Sequence, residues 1–149
     1  MNSDHFTSYP LKFRPLAKER PWGGTRLSSF FQLKSDKNIG EVWTLSDHAN
    51  GMSVCVNGSL TGNTLSDIIS RHRNLYLGQT ERDCFPLLIK FIDAEENLSV
   101  QIHPDDDYAQ THEGDFGKTE AWYILETTPS AQIHYGDSRW KGSGLLAIY

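Results

Sequence analysis

The stretch Asn97-Leu98-Ser99-Val100-Gln101-Ile102-His103-Pro104-Asp105-Asp106 carries two patterns at once. Val100 and Ile102 alternate with Ser99, Gln101 and His103, and period-2 alternation puts each set on one face of a strand. One face is apolar. The other carries a hydroxyl, an amide and an imidazole in a row. Pro104 has no N–H to give to a ladder and ends the strand. A polar row on the inner face of a sheet needs partners, and a metal ion is a partner that suits it. The expectation is a β-barrel built around this row, with Glu120 completing part of the set.

Outward from this row, the downstream sequence reads as strands over residues 119–125 and 131–135, with Gly114 and Gly117 bracketing a loop. Residues 105–112 suit one or two helical turns, whose carboxylates Asp105, Asp106 and Asp107 favour the positive end of the helix dipole. They lack the glycine and distal glutamate of a calcium loop. Upstream, residues 86–92 form a nearly continuous apolar run around Lys90, and residues 39–46 and 53–56 read as further strands. Thr64 with Asp67 resembles a capping box before a helix carrying Leu65, Ile68 and Ile69. That helix ends at Arg71-His72-Arg73 and stops by Gly78. Thr25 is placed to cap a short helix with Leu27, Phe30 and Phe31. Residues 9–16 read as extended, and Pro21-Trp22-Gly23-Gly24 reads as a tight turn. Short strands at close spacing with a few short helices predict a mainly β fold, a barrel or sandwich. Residues 1–8 are expected to be a flexible leader and 9–149 one domain.

The 149 residues suffice for one domain with a real core. With 38% apolar and 22% charged residues the chain matches neither disordered nor membrane-embedded proteins. No apolar run approaches the roughly 20 residues that span a bilayer, and the polar N-terminus lacks a secretory h-region. The net charge of −5, without a basic face, argues against nucleic acid as a partner. Cys55 and Cys84 lie far apart in apolar surroundings and read as free thiols in a reducing, cytoplasmic compartment.

Among residues with chemistry, Gln101 and His103 share one strand face, and Lys118 and Glu120 share another. Imidazole nitrogen with carboxylate and amide oxygens suits zinc or a related divalent metal. The alternative is a satisfied core or surface histidine, but a glutamate beside the apolar run Ala121-Trp122-Tyr123-Ile124-Leu125 demands a partner. His134 is a further candidate ligand. His112 reads as solvated, and His48 and His72 have structural explanations in a turn and a helix end. Lys90, between Ile89 and Phe91, must snorkel or meet a carboxylate. Its functional alternative is a phosphate or sugar contact in the pocket that holds Ser99.

Taken together, residues 98–106 and Gly117-Lys118-Thr119-Glu120-Ala121-Trp122-Tyr123-Ile124-Leu125 resemble the mannose-6-phosphate isomerase family, in its metal-dependent cupin type and short bacterial branch. Pro21-Trp22-Gly23-Gly24, Gly40-Glu41-Val42-Trp43 and Phe85-Pro86-Leu87-Leu88-Ile89-Lys90-Phe91-Ile92-Asp93-Ala94 support the likeness, which runs from residue 9 to about 136. The resemblance implies a cupin-like β-barrel or jelly roll with a few short helices. It implies zinc, with Gln101, His103 and Glu120 on metal-ligand positions, Ser99 near the substrate phosphate and Lys118 on an active-site lysine. The implied reaction interconverts mannose 6-phosphate and fructose 6-phosphate through an enediol.

The resemblance also implies a family chain about twice this length or more, whose later half carries a further ligand histidine and an arginine. The expectation is therefore the N-terminal part of such an enzyme: a natural truncation, a frameshifted remnant, or half of a split protein that pairs as a homodimer or with a missing C-terminal half. A non-catalytic cupin domain binding a sugar phosphate or a partner subunit is the competing expectation. A different metal cupin, an oxygenase or epimerase, is disfavoured because its His-rich ligand set is missing.

Overall fold

Ile39–Leu45 is the strand on which the first part of the chain is built. Ile39 and Val42 on it are fully enclosed, and its neighbours on either side run antiparallel. The computed structural model describes residues 6–80 and 82–133. The chain divides into two compact units, Met1–Leu98 and Ser99–Tyr149.

In the first unit β1 (Leu16–Gly24), β2 (Ile39–Leu45) and β5 (Ile89–Ile92) form a sheet in the order β1-β2-β5, and β3 (Asp47–His48) with β4 (Gly51–Met52) forms a hairpin. Pro21-Trp22-Gly23-Gly24 lies inside β1 and is not the tight turn expected from its composition. Glu19 and Gly24 both pair with Ile39, so the residues between them bulge out of the ladder. An edge strand tolerates this, because a proline there costs no inter-strand bond. Within the bulge Gly23 pairs with Ala94, and the two edges of the sheet meet at that end. The meeting needs glycine: a Cβ on Gly23 would collide with the backbone of Gly40.

One core gathers Leu27, Ile39 and Val42 with Phe31, Leu33 and Phe91. Leu27 comes from α1 (Arg26–Phe30). Thr25 stands at its N-cap without a side-chain cap bond, and the donor of the first turn goes elsewhere. Buried Asp93 accepts from Arg26 N at 2.9 Å and from Arg26 Nε at 2.6 Å, so the cap comes from a residue distant in sequence. A second core gathers Cys55, Leu60 and Ile68 with Phe6, Tyr9, Leu11, Phe13 and Tyr76. Residues 53–56 contribute only isolated bridges, Phe13 to Cys55 and Val54 to Thr64, not the strand expected there. Phe6 stacks on His72 with ring centroids 4.0 Å apart.

The α2 helix (Leu65–Tyr76) buries Leu65, Ile68 and Ile69, and its capping box is complete. Thr64 Oγ1 accepts from Asp67 N at 3.1 Å, and the Asp67 carboxylate accepts from Thr64 N at 3.3 Å. Gly78, with φ of 69°, ends the helix in the left-handed region that glycine enters without strain. Thr64→Ala removes the cap and is expected to destabilise the chain by about 1 kcal/mol, read as a lower midpoint in urea unfolding with unchanged slope.

In the second unit the described residues hold one helix, α3 (Asp106–His112), with Asp105 as its N-cap accepting from Tyr108 N at 2.9 Å. The strands expected over 99–103 and 119–125 are absent among the described residues, as is strand structure over 131–133. Alternation supplies only propensity, and a strand exists when another backbone pairs with it. Among the described residues no ladder reaches these stretches, and apolar side chains in them stand in solvent: Val100 is 84% exposed, Ile102 95% and Tyr123 87%. Among the described residues the polar row is therefore not part of a paired strand. His134 and Tyr135 of the expected last strand, and the tail from residue 137, lie outside the described residues. No helix among the described residues is long and apolar enough to cross a membrane.

Candidate active site

Backbone contacts within the second unit decide where the candidate side chains fall. Lys118 N donates to Pro104 O at 3.3 Å, and Gly117 N donates to Asp106 Oδ1 at 2.9 Å. Gly117 fits there because a Cβ would lie 2.5 Å from the Asp106 backbone nitrogen. The segment 117–118 is thereby held against the segment 104–106, and the residues flanking each meet. In the sequence Asp106 and Gly117 read only as a helix start and a loop boundary. Their joint role depends on a contact across 11 residues that no local pattern announces.

Three of the expected residues converge. His103 Nε2 lies 4.0 Å from Glu120 Oε2, while Lys118 Nζ lies 3.4 Å from His103 Nε2 and 3.3 Å from Glu120 Oε1. Both Glu120 oxygens are shielded from solvent, and its side chain is 13% exposed against 21% for His103 and 46% for Lys118. A carboxylate so placed is stable only beside cations. Gln101 and Ser99 form a separate, exposed pair in which Gln101 Nε2 donates to Ser99 Oγ at 2.9 Å.

The donor chemistry fits a divalent ion. Two ligands at about 2.0–2.2 Å from one tetrahedral ion stand roughly 3.4 Å apart, so the imidazole nitrogen and carboxylate oxygen, 4.0 Å apart, would close together to share one. Among the described residues no group of three or more His, Cys, Asp and Glu side chains is gathered.

Lys90 belongs to the first unit and has met a carboxylate. Its Nζ lies 3.1 Å from Glu41 Oε1, and Arg20 Nη2 and Trp43 Nε1 each donate to Glu41 Oε2 at 3.0 Å. Burial pushes the Glu41 carboxyl up, but the Trp43 hydrogen bond and the Lys90 and Arg20 cations outweigh it and hold it below its ordinary value. The sequence alone does not single out Glu41 as their partner. The available signal is a carboxylate in the apolar run Ile39-Gly40-Glu41-Val42-Trp43 of one strand and an equally isolated lysine in another.

A sequence model of the phosphomannose isomerase type I catalytic domain matches residues 11–139. The chain belongs to the type I phosphomannose isomerase family. Mannose-6-phosphate isomerase ManA of Bacillus subtilis (strain 168) is 50% identical over 131 residues, which cover 87% of this chain and 41% of ManA. Mannose-6-phosphate isomerase of Streptococcus mutans serotype c is 42% identical over 128 residues, covering 85% of this chain and 40% of the relative. The crystal structure of the mannose 6-phosphate isomerase from Bacillus subtilis matches with a TM-score of 0.76 at 41% identity, over 81% of this chain and 39% of that one. The mainly β, cupin-like fold class expected from the sequence is borne out by this phosphomannose isomerase neighbour. This member of the family spans about 41% of the length of ManA.

Proposed function

We propose that this chain carries the metal- and substrate-binding part of a mannose-6-phosphate isomerase. The observation behind the reading is the convergence of His103, Lys118 and Glu120 within 4.0 Å on a chain that matches the family's catalytic domain. His103 Nε2, a Glu120 oxygen and the Gln101 amide oxygen would hold zinc. Bound there, zinc would supply Lewis acidity to substrate oxygen. The chain's own groups do the rest. The Lys118 ammonium stabilises negative charge developing on a bound oxygen, the role expected of a cation preorganised at that point. The Ser99 hydroxyl accepts from Gln101 and keeps its own O–H to donate to the substrate phosphate. Lys90, 20% exposed and already paired with Glu41, is the weaker candidate for a phosphate contact. In the isomerisation the proton on C2 of mannose 6-phosphate leaves as the C1 oxygen is protonated. The enediol then takes a proton at C1 and loses one from the C2 hydroxyl.

The test is turnover of mannose 6-phosphate by the purified zinc-loaded chain, with fructose 6-phosphate detected through a coupled assay. Product formation proportional to enzyme supports the reading. No product at high enzyme concentration contradicts catalysis by this chain. That second outcome would favour a non-catalytic cupin binding a sugar phosphate or a partner.

The two free cysteines and the small-metabolite chemistry fit a cytoplasmic enzyme. Association as a homodimer or with a complementary chain is supported by the apolar side chains left in solvent in the second unit, Val100, Ile102, Tyr123 and Leu125. Light scattering is expected to give a mass of at least two chains for the purified protein, and a clean 149-residue monomer would contradict association.

A further inference from the structure

Lys118 contacts both side chains that would take the metal, at 3.4 Å to His103 Nε2 and 3.3 Å to Glu120 Oε1. An ammonium N–H is accepted by the same imidazole lone pair that coordinates a metal, and it answers the same carboxylate charge. One donor pair thus faces two cations that would repel each other. We infer that in the metal-free chain Lys118 is a stand-in cation, competing with the divalent ion for His103 and Glu120, so that metal uptake requires its side chain to swing away. The inference rests on the reading of His103 and Glu120 as metal ligands.

Burial favours a cation beside Glu120. Both Glu120 oxygens are shielded from solvent, and a buried carboxylate without a cation is strongly disfavoured. The structure also gives Lys118 somewhere to go. Its side chain is 46% exposed, and a long flexible lysine stem can move its ammonium into water at little cost. The backbone does not need to follow, because Lys118 N is tied to Pro104 O and Gly117 N to Asp106 Oδ1. Metal binding therefore changes Lys118 from a counter-ion of Glu120 into a mobile cation at the rim of the same site, where an anionic substrate can use it.

The experiment compares the full chain with Lys118→Met, Lys118→Gln and His103→Ala, measuring zinc affinity by competition with a chromophoric chelator and thermal unfolding with and without zinc. Both Lys118 variants are expected to bind zinc at least about tenfold more tightly than wild type. They should also unfold at lower temperature without metal and gain more from zinc than wild type does. Two replacements of different polarity keep the result independent of one variant's folding. Equal or weaker zinc binding by both Lys118 variants, with binding lost in His103→Ala, would overturn the stand-in role and leave the metal-ligand reading intact. Zinc binding unchanged in His103→Ala would overturn the ligand reading itself, and the stand-in role with it.

Discussion

His103→Ala is expected to lower both zinc affinity and mannose 6-phosphate turnover by at least about a hundredfold, since even residues that merely support a metal ligand change affinity by roughly 10–100-fold. The loss has two sources. The imidazole nitrogen 4.0 Å from Glu120 Oε2 disappears as a donor, and Lys118 loses its contact with the ring while keeping the one with Glu120. Fold stability should change little by comparison, because neither core cluster described above contains His103. The pairing of a large functional loss with a small shift in unfolding midpoint separates a site residue from a structural one. Chelator competition and the coupled isomerase assay measure the first quantity, and urea unfolding the second. A variant that retained zinc affinity would remove His103 from the site.

The second large effect concerns Glu41, in the other unit. Its carboxylate joins all three strands of the sheet, with Arg20 from β1, Trp43 from β2 and Lys90 from β5. Its side chain is 9% exposed, while those of Arg20 and Lys90 are 37% and 20% exposed. Breaking a fully buried pair costs about 3–5 kcal/mol, and the partial exposure of both cations discounts that. Glu41→Gln, which keeps the shape and an acceptor for Trp43, is therefore expected to destabilise by about 2–3 kcal/mol at neutral pH. The pH dependence has a definite sign. The folded carboxyl is held below its ordinary 4.5, so its stabilisation is complete above that pH and is lost as pH falls through the lowered folded value. The gap between wild type and Glu41→Gln in urea midpoints should stay constant from neutral pH down to about 4.5 and narrow below it. A gap that widens with acid would contradict the charge network as its cause.

The features legible in the sequence are those decided within a few residues. Thr64 and Asp67 form the capping box, Asp105 caps the helix that its neighbours begin, and Gly78 stops α2. Strands β2 and β5 are legible because their apolar content sits between turn residues. The site is legible only in part. Lys118 and Glu120 alternate, and His103 ends a polar row, but what brings them together is the closure of Gly117 and Lys118 onto residues 104–106. Nothing local encodes that closure. The same limit explains where the structure departs from the local pattern. Alternation at 99–103 and 119–125 suggests strands, yet pairing is a property of two segments and the apolar side chains there face solvent. Proline and glycine at 21–24 suggest a turn, yet on an edge strand they make a bulge. Lys90 visibly needs a carboxylate, but Glu41, 49 residues away, becomes its partner only in the folded sheet.

The most direct test of a metal centre built on His103 and Glu120 is the zinc content of the full chain and its Glu120→Ala variant. Both are loaded with zinc and dialysed side by side, and metal is measured against protein concentration. About one zinc per wild-type chain, with little or none in the variant, is the predicted result. Equal zinc in the two proteins would contradict it.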